Sequence, residues 1–467
     1  MLFNSIPFLV FFPIVCILYY CIPHYRIKER NIFLLIASYY YYINWEPAYA
    51  LLLLTCTAIT YGATLGGHYY NKCKKTLLVI GIVLNLLILF FYKYFGFFTE
   101  NVVVAMNLAG VRMNVPELRI LLPVGISFYM FKALGYMIDV YRGNVKVERN
   151  FFTYALFVSF FPQLVAGPIE RSYNLLPQFK EKTRFDYQGV MAGINMMVWG
   201  YFLKLVLADR CGIYVDSIFN NVEQHNGGSY LVASFLFPFQ IYGDFAGYSL
   251  IAIGVAKVMG FDLKENFHRP YLSSSVGEFW HRWHISLSTW FRDYLYIPLG
   301  GNRVSKIRNY FNLFVTFVVS GIWHGANWTF ICWGSLHGLF LCIEKALGIG
   351  KIKYSGFRKI IHWAITFVLV SFAWILFRAN NMTDAITIIK GIFTDFGVPK
   401  LEIAIFLAIV LAMIVMALRE LGEEFQWKIR IANSHYWIVR HIYIVVMIAY
   451  IILFGVLGGD QFIYLQF

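Results

Sequence analysis

Apolar runs recur along this sequence from one end to the other, and that recurrence limits the fold more than any motif does. They fall at roughly 6–22, 31–43, 47–66, 76–98, 120–140, 151–166, 190–208, 230–259, 310–323, 326–347, 360–378, 401–418 and 438–457. A helix needs about 20 apolar residues to cross a bilayer, so the runs predict an all-α polytopic membrane protein with about 11 to 13 membrane helices. Composition agrees: 59% of the 467 residues are hydrophobic, only 14% are charged, and mean hydropathy is +0.61. Soluble proteins carry about 25% charged residues, so this chain has too few polar side chains to coat a water-soluble globule. A soluble enzyme, a DNA-binding domain and a disordered protein are excluded.

The 39 Lys and Arg exceed the 25 Asp and Glu, for a formal charge of +14. In a soluble protein that excess would suggest nucleic acid. Here it reads as cytoplasmic loops facing anionic lipid, so membrane lipid is the expected partner and nucleic acid is not. Loops holding Arg26, Lys28, Arg30 and Lys72, Lys74, Lys75 flank a helical hairpin turned at Asn44, Glu46 and Pro47. The positive-inside rule makes both loops cytoplasmic, with the N-terminus and stretch 99–119 outside. No basic residue precedes Arg26, so the run 6–22 reads as a retained span rather than a secretory signal. The seven cysteines are odd in number and lack any CxxC, so they read as packing residues. No useful internal repeat is visible, which argues against an inverted-repeat transporter.

Residues 264–309 break the apolar pattern. They hold seven Lys or Arg, three acids and three His, too polar to span yet rich in aromatics. Placed on one helix over 277–297, Glu278, His281, Arg282, Thr289, Arg292 and Asp293 share one face. Trp280, Leu287 and Phe291 share the other, with His284 among them. The whole of 1–467 therefore reads as one transmembrane domain, with 264–309 as a cytoplasmic-side amphipathic or re-entrant element within it.

His324 is the sharpest candidate for chemistry. It lies in VTFVVSGIWHGANWTFICWGSLHG, bracketed by Gly321 and Gly325, with Trp323, Asn327 and Trp328 close by. Titratable groups at membrane depth are costly and point to function, and an ordinary imidazole suits proton abstraction at neutral pH. His284 is either a core histidine or a functional one on position alone. His337, 13 residues beyond His324, falls about 220° around a continuous helix and reads as packing or secondary. Among the acids, Asp244 in IYGDFAGYS is the best polar pocket candidate, unless it simply pairs with a Lys or Arg. His281 and His284 have no carboxylate or cysteine pattern to complete a zinc site, so no metal is expected. GxSxG, P-loop, GxGxxG and HExxH motifs do not occur.

Five blocks carry a family resemblance: PVGISFYMFKALGYMIDVYRG (123–143), FFPQLVAGPIER (160–171), DFAGYSLIAIGVAKVMGF (244–261), ENFHRPYLSSSVGEFWHRWHISLSTWFRDYLYIPLGGNR (265–303) and GIWHGANWTFICWGSLHG (321–338). With the ending FIYLQF, they resemble the membrane-bound O-acyltransferase (MBOAT) superfamily, in its bacterial alginate O-acetyltransferase AlgI-like branch. The D-alanyl transfer protein of teichoic acid modification is the next cousin. The resemblance implies helices ringing a thinned centre with a tunnel, in a multi-pass bacterial inner-membrane protein. It implies that His324 is the catalytic histidine and that His284 is the second histidine of the RWH block. Asp244, Trp283, Asn327 and Trp328 are the tunnel and substrate candidates.

The resemblance implies no bound cofactor; acetyl-CoA is expected as donor substrate. It implies acetyl transfer toward an exported or cell-wall polysaccharide, with an extracytoplasmic SGNH-type acetyltransferase as partner. The AlgI pattern often has an acid where this chain has Leu250, which bears on the acceptor. D-alanyl transfer to an envelope polymer remains an alternative. A glycan or lipid flippase and an export-complex scaffold are alternatives from other classes, but a flippase would show two symmetric halves and a scaffold needs no buried histidine.

Overall fold

A computed structural model of the chain describes residues 1–112, 121–165, 167–352, 354–427, 431, 434, 436–457 and 463. The FIYLQF ending lies outside the described residues apart from Ile463, as does 113–119 of the stretch expected outside the membrane. Among the described residues all regular structure is helical. These residues divide into two compact units.

The first unit comprises 1–187 with 259–263 and 325–327. Its helices are α1 (Ile6–Cys21), α2 (Ile27–Ile43), α3 (Pro47–Tyr69), α4 (Lys74–Leu89), α5 (Phe95–Leu108), α6 (Ile126–Arg142), α7 (Phe151–Ser159), α8 (Phe161–Leu164) and α9 (Ser172–Gln178). The α2–α3 hairpin turns where expected, with Pro47 as the first residue of α3, where a missing N–H costs nothing. The π-helical residues Phe90–Tyr94 join α4 to α5 in one long span that continues to Leu108, so the loop expected from residue 99 begins later. The run 151–166 is not a single helix: it breaks at Phe160, and the Ser38 hydroxyl accepts the freed Phe161 N–H at 3.1 Å.

The second unit comprises 188–258, 264–324 and 328–467. Its helices are α10 (Tyr187–Tyr201), α11 (Asp209–Phe219), α12 (Gly227–Val258), α13 (Val276–Arg282), α14 (Ile285–Phe291), α15 (Lys306–His324), α16 (Trp328–Leu347), α17 (Gly356–Arg378), α18 (Met382–Thr394), α19 (Ile403–Glu424) and α20 (Trp437–Phe454). The core helix is α12, with 26 of 32 residues buried, as its apolar residues on every side require. It approaches α10 at paired glycines, where a Cβ on Gly200 would stand 2.6 Å from the Gly247 carbonyl oxygen. Small residues at such a crossing let two backbones pack within a membrane.

Eight helices are long and apolar enough to cross a membrane, and Ile6–Cys21 is a shorter apolar one. The runs 31–43, 120–140 and 310–323 lie in helices α2, α6 and α15, which fall outside those eight. The protein is thus an all-α, multi-pass membrane protein.

Candidate functional site

The helix expected over 277–297 is two helices and a π-helical segment. Helix α13 stops at Arg282, His284 takes a left-handed conformation (φ 43°, ψ 54°), and α14 follows before π-helical Arg292–Tyr296. A non-glycine residue there costs about 1–2 kcal/mol. Residues 266–268 offset that cost by bonding the peptide groups that the break exposes. The His268 N–H donates to Arg282 O at 2.8 Å, and the Ile285 N–H donates to Asn266 O at 2.9 Å. The apolar side is as expected, with Trp280, Leu287 and Phe291 buried. His281 is exposed.

The break turns His284 wholly inward. Its Nδ1 lies 3.1 Å from Asn266 Oδ1, which also accepts the Ser286 hydroxyl at 2.8 Å and the Ser286 N–H at 3.2 Å. Asn266 Nδ2 donates to Ser249 Oγ at 3.1 Å, and the Ser286 backbone N–H, which can only donate, fixes the amide so that its oxygen faces His284. An amide oxygen only accepts, so this network assigns the His284 proton to Nδ1 and leaves the lone pair on Nε2. Burial pushes the imidazole down to about 3, so it stays neutral at physiological pH.

His324 is the last residue of α15 and is 3% exposed. The turn Gly325–Asn327 leads directly into α16. The two helices touch backbone to backbone: a Cβ on Gly321 would stand 2.3 Å from Phe330 O, and one on Gly334 2.3 Å from Phe317 O. Only glycine at both positions permits this approach. Aromatic edges surround the imidazole, with ring centroids at 4.9 Å for Trp323, 5.0 Å for Trp333 and 5.2 Å for Phe377. Trp323 also lies 6.2 Å from the His284 ring and so links the two histidines.

The remaining candidates separate. Trp283 joins the aromatic cluster, 1% exposed, stacked on Phe279 and 5.1 Å from Trp374. Asp244 takes the pairing role: Lys204 Nζ bridges Asp244 and Asp209, each at 2.6 Å, and the Ile463 N–H donates to Asp244 Oδ2 at 2.7 Å. Trp328 opens α16 with 53% exposure, and Asn327 is half-buried in the turn.

The sequence projection set His337 on a different face from His324. A 100° projection assumes one helix, but the chain reverses between His324 and Trp328. The reversal brings His337 within 5.0 Å of Trp333, the ring that also flanks His324. Asn266 and the α17 rings Trp374 and Phe377 carried no local motif. The separate apolar runs 310–323 and 326–347 were the sequence's sign of the hairpin.

A cavity of about 560 Å³ opens beside α13–α15, walled by Trp280, Leu287, Phe291 and Phe317, with His281 and Arg292 at its polar edge. Trp280 also donates to His337 Nδ1 at 3.2 Å, so the cavity wall and the aromatic cluster share a residue. Among the described residues, no group of three or more His, Cys, Asp or Glu is placed to hold a metal ion.

Fold and site define a multi-pass membrane protein that holds titratable groups within its helices. The MBOAT, membrane-bound O-acyltransferase family profile matches residues 145–383. The chain is 40% identical over 423 residues to the "Probable alginate O-acetylase AlgI" of Pseudomonas syringae pv. tomato, covering 89% of this chain and 80% of that one. It is 35% identical to the "Peptidoglycan O-acetyltransferase" of Helicobacter pylori, over 84% and 79% of the two chains. The "Teichoic acid D-alanyltransferase" of Streptococcus thermophilus is 30% identical over 54% of this chain and 68% of that one. The chain belongs to the membrane-bound O-acyltransferase family. It is an acyltransferase of the bacterial inner membrane.

Proposed function

We propose that the chain moves an acetyl group from acetyl-CoA on the cytoplasmic side toward an exported or cell-wall polysaccharide, with His324 as general base. The observation that carries this reading is the seat of His324, a buried imidazole at the tip of a glycine-locked hairpin, ringed by aromatic edges. Such walls exclude water, which protects a thioester from hydrolysis and strengthens each polar contact. His324 takes the proton of the acceptor hydroxyl as its oxygen attacks the acyl carbon. General-base work of this kind supplies about 10²–10⁴ in rate.

His284 acts as the orienting group. With its proton committed to Asn266, its Nε2 lone pair accepts a hydrogen bond and so aligns a hydroxyl. That tautomer cannot donate from Nε2 to polarise a carbonyl. The 560 Å³ cavity suits the donor's arm, with apolar walls for its methylenes and Arg292 near its polar end. The relatives that align over 84–89% of this chain are named for O-acetylation, which favours acetyl over D-alanyl transfer. An SGNH-type acetyltransferase outside the membrane would receive the group and pass it to the polymer.

Inside-out membrane vesicles from cells making the chain, fed labelled acetyl-CoA, test the reading. Base-labile label should enter the polymer fraction with wild type and fall at least about 100-fold with His324→Ala at equal protein. Equal label from the two proteins rejects His324 as the base. Label that enters only from D-alanine replaces acetyl with D-alanyl.

A further inference from the structure

His337 is completely buried and its proton can be located. Trp280 Nε1 donates to His337 Nδ1 at 3.2 Å, and an indole nitrogen can only donate. Nδ1 is therefore the acceptor, and neutral His337 carries its proton on Nε2. That Nε2–H is buried with no hydrogen-bond partner among the described residues. The indole N–H groups of Trp333 and Trp374 are in the same condition. The three rings form one cluster, with centroids 5.0 Å apart for Trp333–His337, 5.5 Å for Trp333–Trp374 and 6.4 Å for His337–Trp374.

Buried N–H groups nearly always find an acceptor, because leaving one unmade forfeits its hydration. A cluster that offers three donors and no acceptor of its own selects an atom that accepts without donating. A carbonyl oxygen is such an atom. Trp333 is also the wall of His324, at 5.0 Å between ring centroids, so the donors adjoin the proposed base.

We propose that His337 Nε2–H, together with the indole N–H groups of Trp333 and Trp374, receives the carbonyl oxygen of the transferred acyl group. The inference rests on the acyl-transfer reading above but not on the identity of the acceptor. As the hydroxyl oxygen bonds to the acyl carbon, its proton passes to His324. The carbonyl π pair moves onto the oxygen held by the three donors. When that pair returns, the bond to the leaving thiolate breaks, and the thiolate takes the proton from His324. No charge or electron is left over. His337 stays neutral throughout and donates one hydrogen bond, which strengthens as the oxygen gains charge.

The vesicle assay, run across acetyl-CoA concentrations, tests this. Removing one donor to a developing oxyanion lowers the maximal rate about 10²–10³-fold. His337→Phe should show that loss with little change in KM for acetyl-CoA, and His337→Gln, which keeps an N–H, should recover part of the rate. Trp374→Phe keeps an aromatic ring and guards against a folding artefact; it should also lose rate rather than affinity. Wild-type rates in His337→Phe overturn the proposal, as do equal losses in the Phe and Gln variants that appear only in KM or protein yield. A silent His324→Ala beside an active His337→Phe removes this inference alone. Equal label from wild type and His324→Ala removes His324 as the base, and no label above background with wild type removes the functional reading itself.

Discussion

Lys204 and His337 are both wholly buried in helices of the second unit, yet their surroundings differ in kind. Lys204 sits in π-helical Phe202–Ala208, with Asp244 and Asp209 each 2.6 Å from its ammonium. The added residue of a π turn aims it at α12, and opposite charge answers charge. Around His337 the neighbours are rings, and three N–H donors face no described acceptor. The first cluster answers its cation within the chain; in the second, three donors have no described partner. A buried charge therefore does not mark the site by itself.

The contrast can be broken by substitution. The largest effect is the loss of at least about 100-fold in transfer for His324→Ala, without change in protein abundance. Lys204→Met should behave in the opposite way. It strands two carboxylates near α12 and should cost about 3–5 kcal/mol of stability, read as lower yield and earlier melting in detergent. Rate per folded molecule should stay near wild type, and a large loss per folded molecule would erase the distinction drawn here.

Asn266→Leu should lower transfer about tenfold, the scale of one or two lost hydrogen bonds, by releasing the His284 tautomer. A wild-type rate would mean that His284 needs no fixed proton. The pH response is smaller per unit. Burial moves the His284 imidazole from its ordinary 6.5 to about 3, so the unfolded chain takes up a proton that the folded chain refuses. Stability is full above 6.5 and falls as pH drops toward 3, by about 1 kcal/mol per pH unit from this residue. His284→Asn should flatten that part of a melting-against-pH curve. Trp328→Phe, at a 53% exposed ring, should change the rate by less than about twofold.

Much of this was legible in the sequence because membrane helices announce themselves by length and hydropathy, and a lone histidine among apolar residues stands out. His324 was visible for that reason. Other features depend on contacts that no local pattern encodes. The left-handed turn at His284 exists because residues 266–268 bond the exposed peptide groups, and helical periodicity is blind to such a strand-like partner. The nearness of His337 to His324 was hidden by the reversal between them, whereas the pairing of Asp244 with a basic residue was an open reading that Lys204 fills. Runs such as 151–166 were apolar enough to span but break at Phe160, which hydropathy does not sense.

The glycine contact between α15 and α16 has a consequence for how such a chain can diversify. Because Gly321 and Gly334 hold the two backbones in one register, inserting a residue into α16 ahead of Gly334 would turn Gly334 out of that seam and swing His337 about 100° off its bearing with it. The hairpin is thus closed to gradual remodelling. Variation is left to walls that carry no register and hold no donor of the cluster, chiefly Phe377 on α17. Libraries aimed at longer acyl groups belong there, with the hairpin left untouched.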